Sequence, residues 1–261
     1  MRFSIITVCR NASEAIAETL ESALNQTGAT SELIVIDGAS TDRTVEIVEQ
    51  YRVRLGAFVS EPDSSIYEAM NKGIERAGGE YLYFLNAGDI LAEPDVLARI
   101  DQRLQGDPEL LIGDVWLEDP DGSNGVLKRH TELDKPHFYR GSVTQQAIFY
   151  RRDVFERCGR FDEKLKIVGD HDWLIRGLFL KRLKVRYWPH IICKFRRGGV
   201  STSTEQAVKV RHQEERLNAD EAVFSAWEKR LLESRKFQWL LKQSWGRGLA
   251  GMLLGWRAVR G

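Results

Sequence analysis

The run Tyr81-Leu82-Tyr83-Phe84-Leu85-Asn86-Ala87-Gly88-Asp89 constrains this chain more than any other segment. An apolar, aromatic-rich stretch ends abruptly in a polar turn carrying one carboxylate. Strands buried on both faces of a parallel sheet read as such runs, and open α/β sheets bind ligands just beyond the carboxyl ends of their strands. The turn therefore brings Asp89 to an edge where a hard divalent cation, and through it a phosphate, can be held by oxygen ligands. The competing reading is a plain strand followed by a helix cap, because Gly-Asp before a helix is also turn and cap chemistry.

The residues before this run alternate in period. Residues 3–8 read as a buried strand, and residues 12–26 carry Ile16, Leu20, Ala23 and Leu24 on one helical face. Residues 32–36 form a second strand. A helix is expected over 41–55, capped by Ser40 or Thr41. A short strand at 57–60 and a helix at 64–77 ended by Gly78-Gly79 follow. This βαβ alternation predicts an α/β fold with a mostly parallel sheet flanked by helices. After Pro108 the pattern is mixed. Strands are expected at 110–116, 126–130, 145–150 and 185–195, with a turn at Pro120-Asp121-Gly122 and a helix over 170–181 that carries its acids in its first turn.

Composition narrows the class. With 43% hydrophobic residues over 261 positions, disorder is excluded, and the formal net charge of zero removes bulk attraction to nucleic acid. Cys9, Cys158 and Cys193 are scattered, which suggests neither a zinc site nor a disulfide framework and fits a reducing, cytoplasmic setting. A strand beginning at Phe3 leaves no room for a signal peptide, and no apolar run reaches the roughly 20 residues of a membrane span. From about Glu205 the chain becomes a charged helical extension, expected as a separate unit over 205–261. From Glu228 onward eight Lys or Arg face two acids, interleaved with Trp245, Leu249, Met252, Leu253, Leu254 and Trp256. That mixture suits an anionic membrane surface at the cytoplasmic face of the inner membrane. It equally suits a helix packed on its own domain or on a second subunit, and the oligomeric state is open.

Four segments then line up in order: Ile5-Ile6-Thr7-Val8-Cys9-Arg10-Asn11; Val35-Ile36-Asp37-Gly38-Ala39-Ser40-Thr41-Asp42; Ser60-Glu61-Pro62-Asp63 leading into Ile66 to Gly73; and Phe84 to Asp89. Together they resemble the family-2 glycosyltransferases of the nucleotide-sugar-binding GT-A fold, over residues 3–201. The nearest flavour is the subgroup that builds bacterial exopolysaccharide, capsule or O-antigen units. The resemblance implies an inverting transferase that takes a nucleotide-sugar donor, UDP-sugar favoured, and a glycan or lipid-linked glycan acceptor.

It also implies residue roles. Asp37 matches an acid that binds the base or ribose, with Asp42 the better helix cap. Thr7, Arg10 and Asn11 sit at the nucleoside end, and Asp63 contributes to the donor pocket. Asn71 and Gly73 match an Asn-x-Gly under the nucleotide, with Lys72 in reach of a phosphate, while Tyr67 packs. Asp89 matches the last acid of the metal motif for Mg²⁺ or Mn²⁺. Asn86 and Gly88 stand where acids often occur, and Asn86 and Ala87 line the donor site. Gly169-Asp170-His171-Asp172-Trp173 matches the segment carrying the general base, with Gly169 in place of Glu; Asp170 is the first candidate and Asp172 the alternative. Gln145-Gln146 replaces a His-Gln and faces acceptor or sugar. Arg196 and Arg197, before Gly198-Gly199, are placed to clamp the pyrophosphate. His190 reads as structural or as a distal metal ligand. The rival readings are a polyprenyl-phosphate glycosyltransferase and a nucleotide-sugar-binding protein without transfer activity. A nucleotidyltransferase or a Rossmann dehydrogenase would need a glycine-rich loop after the first strand, which Arg10-Asn11-Ala12-Ser13 lacks.

Overall fold

The computed structural model describes residues 1–119, 124–197, 205–243, 248 and 251. Its first half is built as the alternation predicts. Strand β1 (Phe3–Cys9) is buried along its whole length, followed by α1 (Ile16–Leu24), β2 (Ser31–Asp37), α2 (Thr44–Glu49), β3 (Ala57–Ser60), α3 (Ile66–Arg76) and β4 (Tyr81–Phe84). The expected helix over 41–55 is shorter. The side chain of Asp42 accepts the Thr44 N–H at 2.9 Å and so starts α2, and a 3₁₀ turn at Arg52–Arg54 replaces its end. Ser65 caps α3 by accepting the Glu68 N–H. Gly73 lets α3 lie directly on β1, because a Cβ there would stand 2.4 Å from Ile6 Cγ2.

The second half continues with β5 (Ile90–Leu91), α4 (Val96–Arg103), β6 (Leu110–Glu118), β7 (Gly125–Lys128), α5 (Lys135–Arg140), β8 (Ile148–Arg151), α6 (Val154–Cys158), α7 (Gly169–Ile175) and β9 (Val185–Arg196). The strand expected from Gln145 begins only at Ile148, after a 3₁₀ turn at Gln145–Ala147. The helix expected over 170–181 is α7 followed by a π turn at Arg176–Leu180. The turn at 120–122 lies outside the described residues. The sheet runs β3-β2-β1-β4-β8-β6-β9-β5, with β7 paired to β6. Strands β3, β2, β1 and β4 are parallel, β8 is antiparallel to both its neighbours, and β9 runs parallel to β6.

Register sets the functional edge. Cys9 pairs with Asp37 and Asp37 with Ser60, so three strands end level and their loops share one rim. Ile6 pairs with Phe84, and the segment after β4 continues alongside the end of β1 in the same direction, with Ala87 N–H donating to Val8 O at 3.3 Å.

Among the described residues the extension contains the helices α8 (Gln206–Val223), α9 (Ala226–Glu233) and α10 (Arg235–Leu241). They pack on the sheet domain. Val223, Phe224, Leu232, Phe237 and Leu241 are buried, Glu228 pairs with Lys135 at 2.6 Å, and Arg140 donates to Leu232 O at 3.0 Å. The domain boundary expected at 204, and most of the Trp- and Leu-rich residues after 243, lie outside the described residues. Among the described residues no helix is long and apolar enough to cross a membrane.

Candidate active site

At the rim of β1, β2 and β3, Asp37 is fully buried. It accepts from the Ser40 N–H at 2.9 Å, from the Ser40 hydroxyl, and from the Ser60 hydroxyl at 2.7 Å. Asn11, at a φ of 51°, receives the Thr41 N–H on its Oδ1 at 2.8 Å, and its own N–H donates to Ser40 Oγ at 2.7 Å. These bonds weld the first two loops together. Gly38 lies between Arg10 and Asp63: a Cβ there would be 3.3 Å from Asp63 Oδ2 and 3.5 Å from Arg10 Cδ. Asp63 Oδ2 is buried and has no hydrogen-bond partner among the described residues, and burial raises the pKa of its carboxyl. Thr7 lies within β1, wholly buried, with its hydroxyl unpartnered.

Three residues expected near the donor have other engagements. Lys72 pairs with Asp63, with Glu61 at 2.9 Å and with Glu68 at 3.1 Å, so its ammonium holds the β3–α3 loop closed instead of standing free for a phosphate. Asn71 donates to Phe161 O at 3.0 Å and Glu163 Oε1 at 2.8 Å, tying α3 to the segment before α7. Gly73 is needed for packing on Ile6.

The turn after β4 forms a second centre. Gly88 adopts φ 99°, a left-handed conformation that glycine takes without strain, and its N–H meets Thr19 Oγ1 at 3.0 Å. Asp89 is buried, and Gln146 Nε2 donates to its Oδ2 at 2.7 Å. Burial raises the Asp89 carboxyl to about 7, against the Gln146 hydrogen bond and the Arg196 N–H and charge. Asn86 Oδ1, in the same turn, is buried and unpartnered. No group of three His, Cys, Asp or Glu placed to hold a metal ion occurs among the described residues. The turn thus offers one carboxylate and one amide oxygen that is unpartnered among the described residues, hard oxygen groups of the kind that fits a cation also bound by phosphates. Pairing of β5 with β9 carries Arg196 beside this turn, where it contacts Glu18 at 3.3 Å; Arg197 pairs with Asp119 at 3.2 Å. His190 lies apart, 3.3 Å from Arg99.

The two candidate bases separate. Asp172 is neutralised by Arg176, at 2.8 and 2.9 Å, one turn on. Asp170 instead accepts the Tyr67 hydroxyl at 3.1 Å, and burial raises its carboxyl above the ordinary range. Burial lowers the ammonium of Lys128, which feels the Asp170 charge; burial raises the buried Tyr150 hydroxyl, on which the same charge acts. Gly169 has a physical reason: a Cβ there would stand 2.7 Å from Tyr67 Cε2. Gly169→Ala is expected to cost about 1–3 kcal/mol by overpacking, measured as a lower urea midpoint.

The glycosyl transferase family 2 model matches residues 4–161, more than half of the chain. The chain belongs to glycosyltransferase family 2. It is 33% identical over 207 residues to a PGL/p-HBAD biosynthesis glycosyltransferase of Mycobacterium bovis, covering 77% of this chain and 79% of that one. It is 27% identical to the succinoglycan biosynthesis protein ExoO of Rhizobium meliloti, covering 96% and 79%. Its fold matches Staphylococcus aureus TarS 1–349 in complex with UDP-GlcNAc, with a TM-score of 0.66, 20% identity and coverage of 92% and 79%. It also matches the Pyrobaculum calidifontis mannosyltransferase PcManGT in complex with GDP-Man and Mn²⁺, with a TM-score of 0.61, 18% identity and coverage of 84% and 62%. The GT-A fold expected from the motifs is therefore the fold of this family-2 member.

Sequence reasoning missed the hydroxyl role of Tyr67 and the approach of Lys128 and Tyr150 to Asp170. Tyr67 sits one residue into α3, where its apolar ring reads as core. The other two lie 42 and 20 residues before Asp170, with no local pattern to link them.

Proposed function

We propose that this protein is an inverting, cation-dependent transferase that moves one sugar from a nucleotide donor to a growing, lipid-linked glycan. The observation that carries the reading is Asp170: a half-buried carboxyl, held by Tyr67 and not neutralised by an arginine as Asp172 is. The acceptor hydroxyl oxygen attacks the anomeric carbon, the bond from that carbon to the phosphate oxygen breaks, and Asp170 takes the hydroxyl proton. The nucleoside diphosphate leaves, and direct displacement inverts the anomeric centre.

Asp63 Oδ2, unpartnered beside Gly38, supports direct contact with the nucleoside, with Arg10 on the other side. Asp37 and Asn11 keep that rim rigid. Asp89 and Asn86 would hold Mg²⁺ or Mn²⁺, which when bound neutralises pyrophosphate charge. Gln146 orients the Asp89 carboxylate, and Arg196 and Arg197 border the phosphates. UDP-sugars are favoured, in line with the UDP-GlcNAc carried by TarS, while the GDP-Man of PcManGT keeps GDP-sugars in the test. The name of the succinoglycan biosynthesis relative supports a glycan acceptor. A thermal-shift screen of UDP-, GDP- and dTDP-sugars with and without Mn²⁺ tests this. A donor that stabilises only with metal and slowly releases its nucleoside diphosphate is the expected result; no stabilisation by any donor sinks the reading.

The extension supports docking on an anionic bilayer. A groove of about 610 Å³ between α9 and α10 is lined by Leu231, Phe237, Trp239 and Leu240, with Arg235 and Lys236 at its margin. Trp227 and Trp239 are 59% and 62% exposed, while the acids are engaged, Glu228 by Lys135 and Glu233 by the Tyr139 hydroxyl. Cations near the surface contribute about 1 kcal/mol each on anionic lipid. Sedimentation with phosphatidylglycerol vesicles should retain the protein. The double variant Trp239→Ala, Lys236→Glu should lower binding by roughly tenfold, and equal binding to neutral vesicles would refute the charge argument.

A further inference from the structure

We propose that Glu215, on α8 and beyond the segment the family model matches, is the positioning residue for the Asp170 base; the inference rests on Asp170 being that base. Helix α7 begins at Gly169 with Val168 before it and no side-chain cap of its own. The segment that leads into it is held from elsewhere, because Glu215 binds three N–H groups just ahead of the helix. Its Oε1 accepts the Lys166 N–H at 2.9 Å, and its Oε2 accepts those of Ile167 at 2.9 Å and Val168 at 3.2 Å.

The opposite side of the same segment is also held. The Tyr67 hydroxyl donates to Ile167 O at 2.8 Å and lies 3.1 Å from Asp170 Oδ1. Residues 166–168 are thus gripped through their N–H groups by α8 and through a carbonyl by α3, and Asp170 follows two residues later. Bonds to an ionised carboxylate are about twice as strong as neutral ones, so Glu215 fixes the pitch of these peptides as well as their place.

The helix that carries Glu215 is itself anchored. Arg216 donates to Phe138 O and, at 2.6 Å, to Gly141 O at the end of α5. One turn on, Asp220 Oδ1 stands 3.5 Å from Nε2 of buried His171, the residue next to the base. The face of α8 bearing residues 215, 216 and 220 therefore frames the Asp170 turn without touching substrate. Its effect is geometric: a displacement of about 1 Å in a reacting group can cost roughly 10²-fold in rate.

The test uses the full chain with Glu215→Gln and Glu215→Asp. Amide hydrogen exchange is read at residues 166–168, affinity is measured for UDP or GDP with Mn²⁺, and turnover is followed as nucleoside diphosphate release from the matching sugar donors. Glu215→Gln keeps the shape and volume that folding needs but puts an amide donor against N–H donors. Expected are exchange at 166–168 at least tenfold faster, kcat lower by 10- to 100-fold, nucleotide affinity within twofold of wild type, and partial rescue in Glu215→Asp. Unchanged exchange, unchanged kcat, or a fall in kcat matched by lost nucleotide affinity would overturn the proposal. Failure of the base reading shows separately, as full turnover by Asp170→Asn, while exchange in Glu215→Gln still reports whether the turn is held.

Discussion

Asp170→Asn is expected to lower turnover by about 10²- to 10⁴-fold, the range a positioned general base contributes, with donor affinity unchanged. The amide keeps an oxygen for the Tyr67 hydroxyl, so the turn is retained and only proton acceptance is lost. Asp172→Asn should cost far less in turnover, because that carboxylate is already committed to Arg176. The wild-type rate should also fall on the acid side at a higher pH than an ordinary carboxylate would dictate. Burial raises the Asp170 carboxyl, and the base works only when ionised, so activity rises as pH passes its pKa. Steady-state kinetics of both variants between pH 5 and 9 checks these outcomes. Equal losses from Asp170→Asn and Asp172→Asn would contradict the assignment.

Asp89→Asn should abolish cation-dependent donor binding and yet stabilise the cation-free protein. Changes to groups that merely support metal ligands cost 10- to 100-fold in metal affinity, so loss of the one carboxylate in this turn should exceed about 100-fold. The stability effect has the opposite sign. The folded protein holds the Asp89 carboxyl protonated up to about 7, against 3.8 for an unburied carboxyl. The unfavourable contribution is therefore absent below about pH 4, grows as pH rises between these values, and is complete above about 7. At about 1.4 kcal/mol for each pH unit, the gap corresponds to about 4 kcal/mol in the wild type at pH 8. Asparagine removes that cost and can still accept the Gln146 hydrogen bond. Melting at pH 5 and pH 8 without added cation should show the variant gaining on the wild type at both, and markedly more at the higher pH. Equal Tm values at pH 8, or donor binding that survives the substitution, would refute the role.

The two carboxylates differ in how they were legible. Asp89 announces itself because an apolar strand and a polar turn are consecutive in the chain. Asp170 had a rival two residues away, and spacing alone gave both the same helix turn. The choice came from what reaches each acid: Arg176, one helical turn on, for one, and Tyr67, from across the fold, for the other. Lys72 shows the same limit from the other side. A lysine in Asn-Lys-Gly reads as a free cation, and three carboxylates brought together by the β3–α3 loop neutralise it. Glu215 left no signal, since one glutamate in a charged helix looks solvated.

The amino-acid sequence by itself determined the parallel half of the sheet, the rim where its loops gather, and the family. Those features rest on period and on turn chemistry, which act between near neighbours. The tertiary structure decided which of the two acids lacks an arginine partner among the described residues, that Lys72 is paired, and that α8 holds the segment before α7. Those choices depend on desolvation and on hydrogen bonds between groups up to 103 residues apart, as between Tyr67 and Asp170. Such energies arise only once the intervening chain is packed, and no local pattern in the sequence carries them.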